Sequence, residues 1–536
     1  MFFEIIDKSL LGRIGRIYTK SGYFETPALF PVIKVDFNQD IISHIKKLNY
    51  RTIITNAYLL WKKLNKEVVD IHQYFNFSNV IMTDSGGYQV LKYKDIEITP
   101  KESLIYQFKI KSDIGVILDY PTGLSQDINF AKKSVILTLR RANYAKRFLK
   151  ESDMIIVAPI QGGIFYSLLS KCALKMKEMG YEMFAIGSPT GLMERYRYKE
   201  VLQMILTVKK VLGNSKPIHL FGAGHPMFFP FIAALGIDTF DSAAYSLYAR
   251  DNRYMTRTRT YKLDELSHLP CNCEICRRID VETLKNMETN IRITLLEKHN
   301  LYVSLEEVKH IRLHIKEGTL WNYLEEKARV HPSLYEAFVF LKRNIDIIEE
   351  YDPITKVNVS GIFFFDPYSS LHPSVIGYHK RMLHNYVIGK GDIAIFLPFL
   401  KEKPFSRSSL MKIFKNKIIK SLNQELINKI RVIFVGYPFI LIPYELSEVY
   451  PNSQWEGEID SFPYRRYLHS FIKNIISKLE LGKAILIVNK KYQRLFSTIE
   501  NNLKNYKIEI LKIFVEKNLS ETIEKNRFFI EDFLKK

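Results

Sequence analysis

Cysteine is scarce: the 536 residues contain 4, and three of them, Cys271, Cys273 and Cys276, fall in one short stretch. So small a supply excludes a disulfide framework and points to a reducing compartment with a clustered metal site; Cys172, in an amphipathic stretch, reads as a buried thiol. Long apolar runs are also missing. The longest, near Val432 to Tyr444, is interrupted by Gly436, Pro438 and Pro443 and is too short to span a bilayer. The N-terminal Met1-Phe-Phe-Glu-Ile-Ile-Asp-Lys lacks the sustained apolar core of a signal peptide, so a cytoplasmic protein with no membrane partner is expected. Acidic residues are in deficit: 57 Asp and Glu stand against 78 Lys and Arg, a net charge of +21 at pH 7, which favours a polyanionic partner, nucleic acid before membrane. With 47% apolar and 25% charged residues the chain is otherwise ordinary, and its length predicts several domains.

What is present, from residue 28 to about 241, is one repeated theme. A short apolar run ends in Gly or a polar residue, and a longer helical pattern follows. The strands predicted are Ala28 to Ile33, Arg51 to Thr55, Asn79 to Thr83, Ile114 to Leu118, Met154 to Ala158, Met183 to Ile186, Pro217 to Leu220 and Ile237 to Phe240, with helices over Ser134 to Lys150, Tyr166 to Met179 and Arg195 to Leu212. This alternation predicts an α/β fold, a (β/α)8 barrel, with an open doubly wound sheet as the alternative. Barrel enzymes place their chemistry at the C-terminal ends of the strands, where the residues here are Asn56, Asp84, Asp119, Gln161, Gly187, Gly222 and Asp241. Carboxylates and an amide around one mouth can read the edge of a purine. Taken singly, each acid is as well explained as a helix cap; the set is not. The turn Thr83-Asp84-Ser85-Gly86-Gly87-Tyr88-Gln89 adds glycines that admit close approach and an aromatic stacking face.

Downstream, Arg250, Arg253, Arg257 and Arg259 alternate with tyrosines, a composition suited to phosphate contact and stacking, or to a solvated basic loop. Cys271-Asn-Cys273-Glu-Ile-Cys276 with His299 forms a closed donor set of the kind zinc uses structurally. His310 and His314 are alternative fourth ligands, read here as features of a helix begun by a capping box at Ser304-Leu-Glu-Glu307. The barrel with its zinc insertion (about 265–340, near the last strand) is expected to end near residue 344. A connecting segment at 345–385 and a C-terminal α/β domain at 386–536 should follow, with a basic stretch between Lys401 and Arg431.

Residues 1 to about 344 resemble the tRNA-guanine transglycosylases. The resemblance rests on Thr83 to Gln89, Ile160-Gln161-Gly162-Gly163, Ala185-Ile186-Gly187, His219-Leu-Phe221-Gly222-Ala-Gly224, Phe240-Asp241-Ser242 and the Cys-x-Cys-x2-Cys with its distant His. Phe221-Gly-Ala-Gly-His-Pro, Ser246-Leu-Tyr-Ala-Arg250, His299-Asn-Leu-Tyr302 and a long C-terminal region are similar to the archaeal branch. Pro121 stands where the bacterial type carries a Cys. The resemblance implies replacement of guanine 15 in the tRNA D-loop by 7-cyano-7-deazaguanine, through a covalent tRNA–enzyme intermediate. It implies Asp241 as nucleophile and Asp84 as general acid and base, with Ser85, Asp119, Gln161 and the Gly187 backbone on the base edge. Tyr88 and Phe221 would hold the faces of the base, one structural Zn2+ would bind Cys271, Cys273, Cys276 and His299, and the protein would be a homodimer.

Two features depart from that pattern. No segment reads as the small β-rich PUA domain that commonly ends archaeal members, which suggests a separate PUA-type RNA-binding protein as partner. Ile186-Gly187-Ser188-Pro189-Thr190 differs from the usual small and hydrophobic residues. The alternatives are an archaeosine synthase-like paralogue acting on the inserted base, which resembles this chain at Gly361 to Pro373 and Tyr437 to Leu446 but generally lacks the two acids, and a non-catalytic tRNA-binding subunit.

Overall fold

The computed structural model describes residues 2–87, 89, 97–149, 152–354, 361–516 and 518–536, with backbone alone at 388–392. It divides into two compact units, Met1–Asn344 with Tyr351–Pro353, and Ile345–Glu350 with Ile354–Lys536.

In the first unit eight parallel strands alternate with helices: β4 (Ala28–Pro31), β5 (Thr52–Asn56), β6 (Val80–Asp84), β7 (Ile114–Val116), β8 (Ile155–Ile160), β9 (Met183–Ile186), β10 (Ile218–Leu220) and β11 (Thr239–Ser242). Their order is β4-β11-β10-β9-β8-β7-β6-β5. A parallel bridge from Val32 to Ile54, with Ile33 N–H donating to the Ile54 carbonyl at 2.8 Å, joins the two ends. That contact makes the sheet a barrel and excludes the open alternative.

Side chains of a strand alternate between its faces. The barrel interior takes Ala28, Phe30, Ile54, Val80, Met82, Ile114, Val116, Val157, Met183 and Ala185. Three strands the sequence reading did not predict, β1 (Phe3–Ser9), β2 (Gly12–Thr19) and β3 (Gly22–Thr26), form an antiparallel sheet whose Phe3, Ile17 and Phe24 join this core. Their alternation is masked by buried glycine and polar positions: Arg13 lies fully buried against Asp238, 2.7 Å away.

One helical reading is corrected. Ser304 does not begin a helix but lies inside a single 29-residue helix, Thr289–Glu317, where its hydroxyl donates to the Asn300 carbonyl. The helix is capped by Glu288 and stopped by left-handed Gly318. A capping-box pattern is equally compatible with a helix interior when the hydroxyl bonds one turn back.

In the second unit the main sheet has the order β17-β16-β15-β19-β20. It comprises β15 (Ile388–Pro398), β16 (Ile430–Gly436), β17 (Ile440–Pro443), β19 (Leu479–Val488) and β20 (Glu509–Phe514), all parallel except β17. Helices Pro373–Asn385, Arg465–Lys478 and Gln493–Asn505 bury their apolar faces in its core. A two-strand pair, β14 (Ile362–Phe363) and β18 (Trp455–Glu456), completes it. Among the described residues no helix is long and apolar enough to cross a membrane.

Candidate active site and metal centre

The inward alternation that fills the barrel with apolar side chains continues past the strand ends and changes chemistry there. Ile54 is followed inward by Asn56, Val80 and Met82 by Asp84, Ala185 by Gly187, and Thr239 by Asp241. One mouth thus collects the polar groups that the apolar layer below excludes from water.

Asp241 is held from one side. Gly222 N–H donates to its Oδ1 at 2.9 Å and His219 Nε2 lies 3.1 Å from the same oxygen. His219 Nδ1 meets the Thr239 hydroxyl at 3.0 Å, so the hydroxyl donates to Nδ1 and Nε2–H donates to the carboxylate. Both donors fall on Oδ1, leaving Oδ2 for other chemistry. Asp84 Oδ2 accepts from Asn56 Nδ2 at 3.0 Å. Burial, then the charges of Asp119 and Asp241, push the Asp84 carboxyl up to about 7, against the pull of the Gly86 and Ser85 amides.

Asp119, just beyond β7, pairs with Gln161, whose Nε2 donates to its Oδ2. Burial lifts Asp119 to about 6 although Gln161 and Arg141 favour its charged form. Gln161 Oε1 accepts from Thr122 N–H at 3.0 Å and from the Ser188 hydroxyl at 2.9 Å. The glycines make this packing possible: a Cβ on Gly187 would fall 2.1 Å from Gln161 Nε2, and one on Gly87 would fall 2.0 Å from Asp119 Oδ1. Ser85 is fully buried, its hydroxyl donating to the Ile117 carbonyl at 3.3 Å. Phe221 packs against the barrel core and meets His219 edge-on at 4.8 Å. Tyr88 lies outside the described residues. A groove of about 460 Å³ adjoins the Gln161 pair, lined by Thr122, Leu124, Phe130, Ser188, Thr190 and Glu194.

The metal donor set converges. The ligand atoms of Cys271, Cys273, Cys276 and His299 lie within 4.8 Å of one another, and His299 Nδ1 is 3.5 and 3.4 Å from the Cys273 and Cys276 sulfurs. His299 Nε2 donates to the Met255 carbonyl at 2.8 Å, which fixes the tautomer and turns Nδ1 to the thiols, the usual outer support of a ligating imidazole. Tyr254 stacks on His299 at 3.8 Å. The set fits a tetrahedral metal ion. His310 and His314 instead stack on Tyr323.

Residues 7–333 match the family model for queuine tRNA-ribosyltransferase, and residues 375–523 match a domain of unknown function, DUF5591. The chain is 42% identical over 477 residues to a tRNA-guanine(15) transglycosylase of Pyrobaculum aerophilum, covering 88% of this chain and 94% of that protein. It is 44% identical over 468 residues to one of Saccharolobus solfataricus (85% and 91%) and 34% identical over 499 residues to one of Methanosarcina mazei (92% and 95%). The chain belongs to the queuine tRNA-ribosyltransferase family.

In this family member the four arginines named from the sequence have different surroundings. Arg250 and Arg259 are exposed, the latter over the Tyr261 ring at 5.8 Å. Arg253 pairs with Asp251 at 2.7 Å. Arg257 turns inward: its Nε is 2.9 Å from Glu307 Oε2 and its Nη2 2.7 Å from the Tyr323 hydroxyl. Glu307 is fully buried and also accepts from Lys327 at 2.9 Å. Sequence reading did not single out His219 or Ser188 as site residues. The signal for His219 was its inward parity on β10; for Ser188 it was a departure from the family pattern, with no residue-level cue to what its hydroxyl meets.

Proposed function

We propose that this protein exchanges guanine 15 in the D-loop of tRNA for 7-cyano-7-deazaguanine, the inserted base of archaeosine biosynthesis. The observation that carries the reading is the ring of strand-end groups, Asp241 on β11, Asp84 on β6, and Asp119 and Gln161 just beyond β7 and β8, in a chain that matches proteins named tRNA-guanine(15) transglycosylase along most of its length.

In the proposed mechanism Asp241 Oδ2 attacks C1′ of the ribose. The C1′–N9 bond breaks, and guanine leaves with a proton from Asp84. The incoming base returns a proton from its N9 to Asp84 and bonds to C1′, releasing Asp241. Two displacements at one anomeric carbon need a carboxylate nucleophile and a second group that handles protons. A carboxyl near 7 populates both forms at neutral pH, as such a shuttle requires. His219 and Gly222 hold Asp241 at one oxygen. Asp119 accepts from the N1 and 2-amino groups of the base, and Gln161 donates to its 6-oxo group. The target nucleotide leaves the stack to reach them. Arg250 and Arg259 take phosphates, and tRNA, guanine and 7-cyano-7-deazaguanine are the partners. A homodimer, a cytoplasmic setting and a PUA-type helper protein belong to the same reading.

The metal proposed for the Cys3His set is one zinc. A full shell of four protein ligands leaves no position for activating water, so the ion supplies structure and not catalysis.

The test is incubation with unmodified tRNA and radiolabelled guanine, followed by mapping of the labelled nucleotide. Label at position 15 is expected. Label confined to another position would overturn the assignment of the target, and bound tRNA without label would overturn base exchange.

A further inference from the structure

The segment after β9 places a side chain beside Gln161 at a residue whose backbone is unusual. Ser188 has φ of 66°, a left-handed conformation that glycine adopts freely and an L-residue with a Cβ adopts at a cost. Its hydroxyl oxygen accepts from Gly123 N–H at 2.9 Å. The single hydroxyl proton therefore goes to its other partner, Gln161 Oε1, also at 2.9 Å. Thr122 N–H reaches that same oxygen at 3.0 Å. Two donors on Oε1, with Nε2 on Asp119, leave the second amide N–H of Gln161 as the group free to face the mouth.

We propose that Ser188 is a positioning residue that sets the orientation of the Gln161 amide and thereby makes the site specific for a purine with an oxo group at position 6. The inference rests on the base-exchange reading and extends it from substrate class to the cause of discrimination. With the amide as observed, an N–H meets a 6-oxo acceptor; a 6-amino group would set donor against donor and leave both unpaired in a buried site, where mismatched polar groups discriminate strongly. A flipped amide would reverse that preference. Thr122 supplies its donor from the backbone whatever its side chain, so Ser188 is the side-chain donor to Oε1, opposite Asp119 as acceptor from Nε2. It also ties the 122–125 loop after β7 to the loop after β9. The groove beside it gives water access to Gln161 once the hydroxyl is gone, which would let either amide orientation find partners.

The experiment compares guanine with 2,6-diaminopurine, which replaces the 6-oxo by a 6-amino group and also turns N1 from a donor into an acceptor; the N1 change acts on Asp119 in wild type and variants alike, so the shift in the affinity ratio between proteins reports on Gln161. Equilibrium binding of both free bases is measured by calorimetry on wild type, Ser188→Gly and Ser188→Ala, alongside guanine insertion into tRNA. Both variants lose the hydroxyl, but only Ser188→Gly also relieves the left-handed backbone, which offsets part of the lost hydrogen bonding; a cooperative thermal transition establishes that it is folded. The expected result is a fall of about tenfold in the guanine-to-diaminopurine affinity ratio in both variants, with KM for tRNA unchanged. A ratio within twofold of wild type in the well-folded Ser188→Gly protein overturns the proposal. So does wild type that binds the two bases equally. Insertion of guanine by wild type with an unaltered ratio in the variants would sink the role of Ser188 alone, whereas absence of insertion by wild type with a shifted ratio would sink the base-exchange reading alone.

Discussion

Asp84 is neither buried deep nor free in water, and its position sets its chemistry. Its carboxyl is raised to about 7 and that of Asp119 to about 6, so the folded protein holds protons at neutral pH that the unfolded chain would release. The associated stability is fully present below the ordinary carboxylate range and is lost as pH rises through about 6 and then 7. Asp84→Asn should therefore stabilise the protein at pH 8 by on the order of 1–2 kcal/mol and change little at pH 5, read from urea denaturation at the two pH values. The same substitution should abolish guanine exchange. Asp241→Ala should eliminate the covalent tRNA adduct on a denaturing gel; an undiminished adduct would place the nucleophile elsewhere. Gly187→Ala probes the close approach to Gln161. The added methyl must displace the amide, and the KM for guanine should rise roughly 30-fold, about 2 kcal/mol, in a protein whose folding is intact.

The helix Thr289–Glu317 organises the segment that follows Asp241. Glu297 accepts from Ser246, and Asn300 bonds Met255 N–H through Oδ1 and the carbonyls of Tyr245 and Arg253 through Nδ2. Glu307 takes Arg257, Lys327 and the Tyr323 hydroxyl. One helix thus fixes the register of residues 245–257 behind Asp241. Two arginines on the same turn should then behave differently. Arg259→Ala should weaken tRNA binding and lower the slope of log K against log salt by about 1, as loss of one phosphate contact does. Arg257→Ala should instead lower stability by about 1–2 kcal/mol, because it removes charge-assisted hydrogen bonds to Glu307 and the Tyr323 hydroxyl while Lys327 still neutralises Glu307; denaturation midpoints and salt titrations of both variants separate the two roles. The pattern of alternating arginines and tyrosines was visible in the sequence. Which arginine turns inward was not, because Glu307, 50 residues away, reaches it only through the fold.

At the scale of the whole molecule, the Cys3His donor set and the segment after β11 are coupled through Met255, whose carbonyl receives His299 and whose amide is held by Asn300. Elemental analysis should find one zinc per chain. Its removal by a chelator should lower the thermal midpoint and weaken tRNA binding more than free-base binding, since the arginine-bearing hairpin, β12 (Arg253–Met255) and β13 (Thr260–Lys262), loses its support while the Asp119 and Gln161 pair does not.

The eight barrel strands were legible because each is a short apolar run between helix-period segments, a signal carried by neighbouring residues. So was the set of strand-end polar groups, since the parity that buries Val80 and Met82 puts Asp84 at the next inward place. The N-terminal sheet was not legible: its buried Arg13 reads as a surface residue until Asp238 is brought to it from 225 positions away. By itself, then, the sequence determined what local order can encode, namely strand and helix periods, the clustered thiols and the acids at the ends of strands. The tertiary structure alone decided which oxygen of Asp241 is held, which way Gln161 faces and which arginine turns inward. Each of these depends on hydrogen bonds between residues far apart in the chain, and their geometry exists only once the barrel has closed.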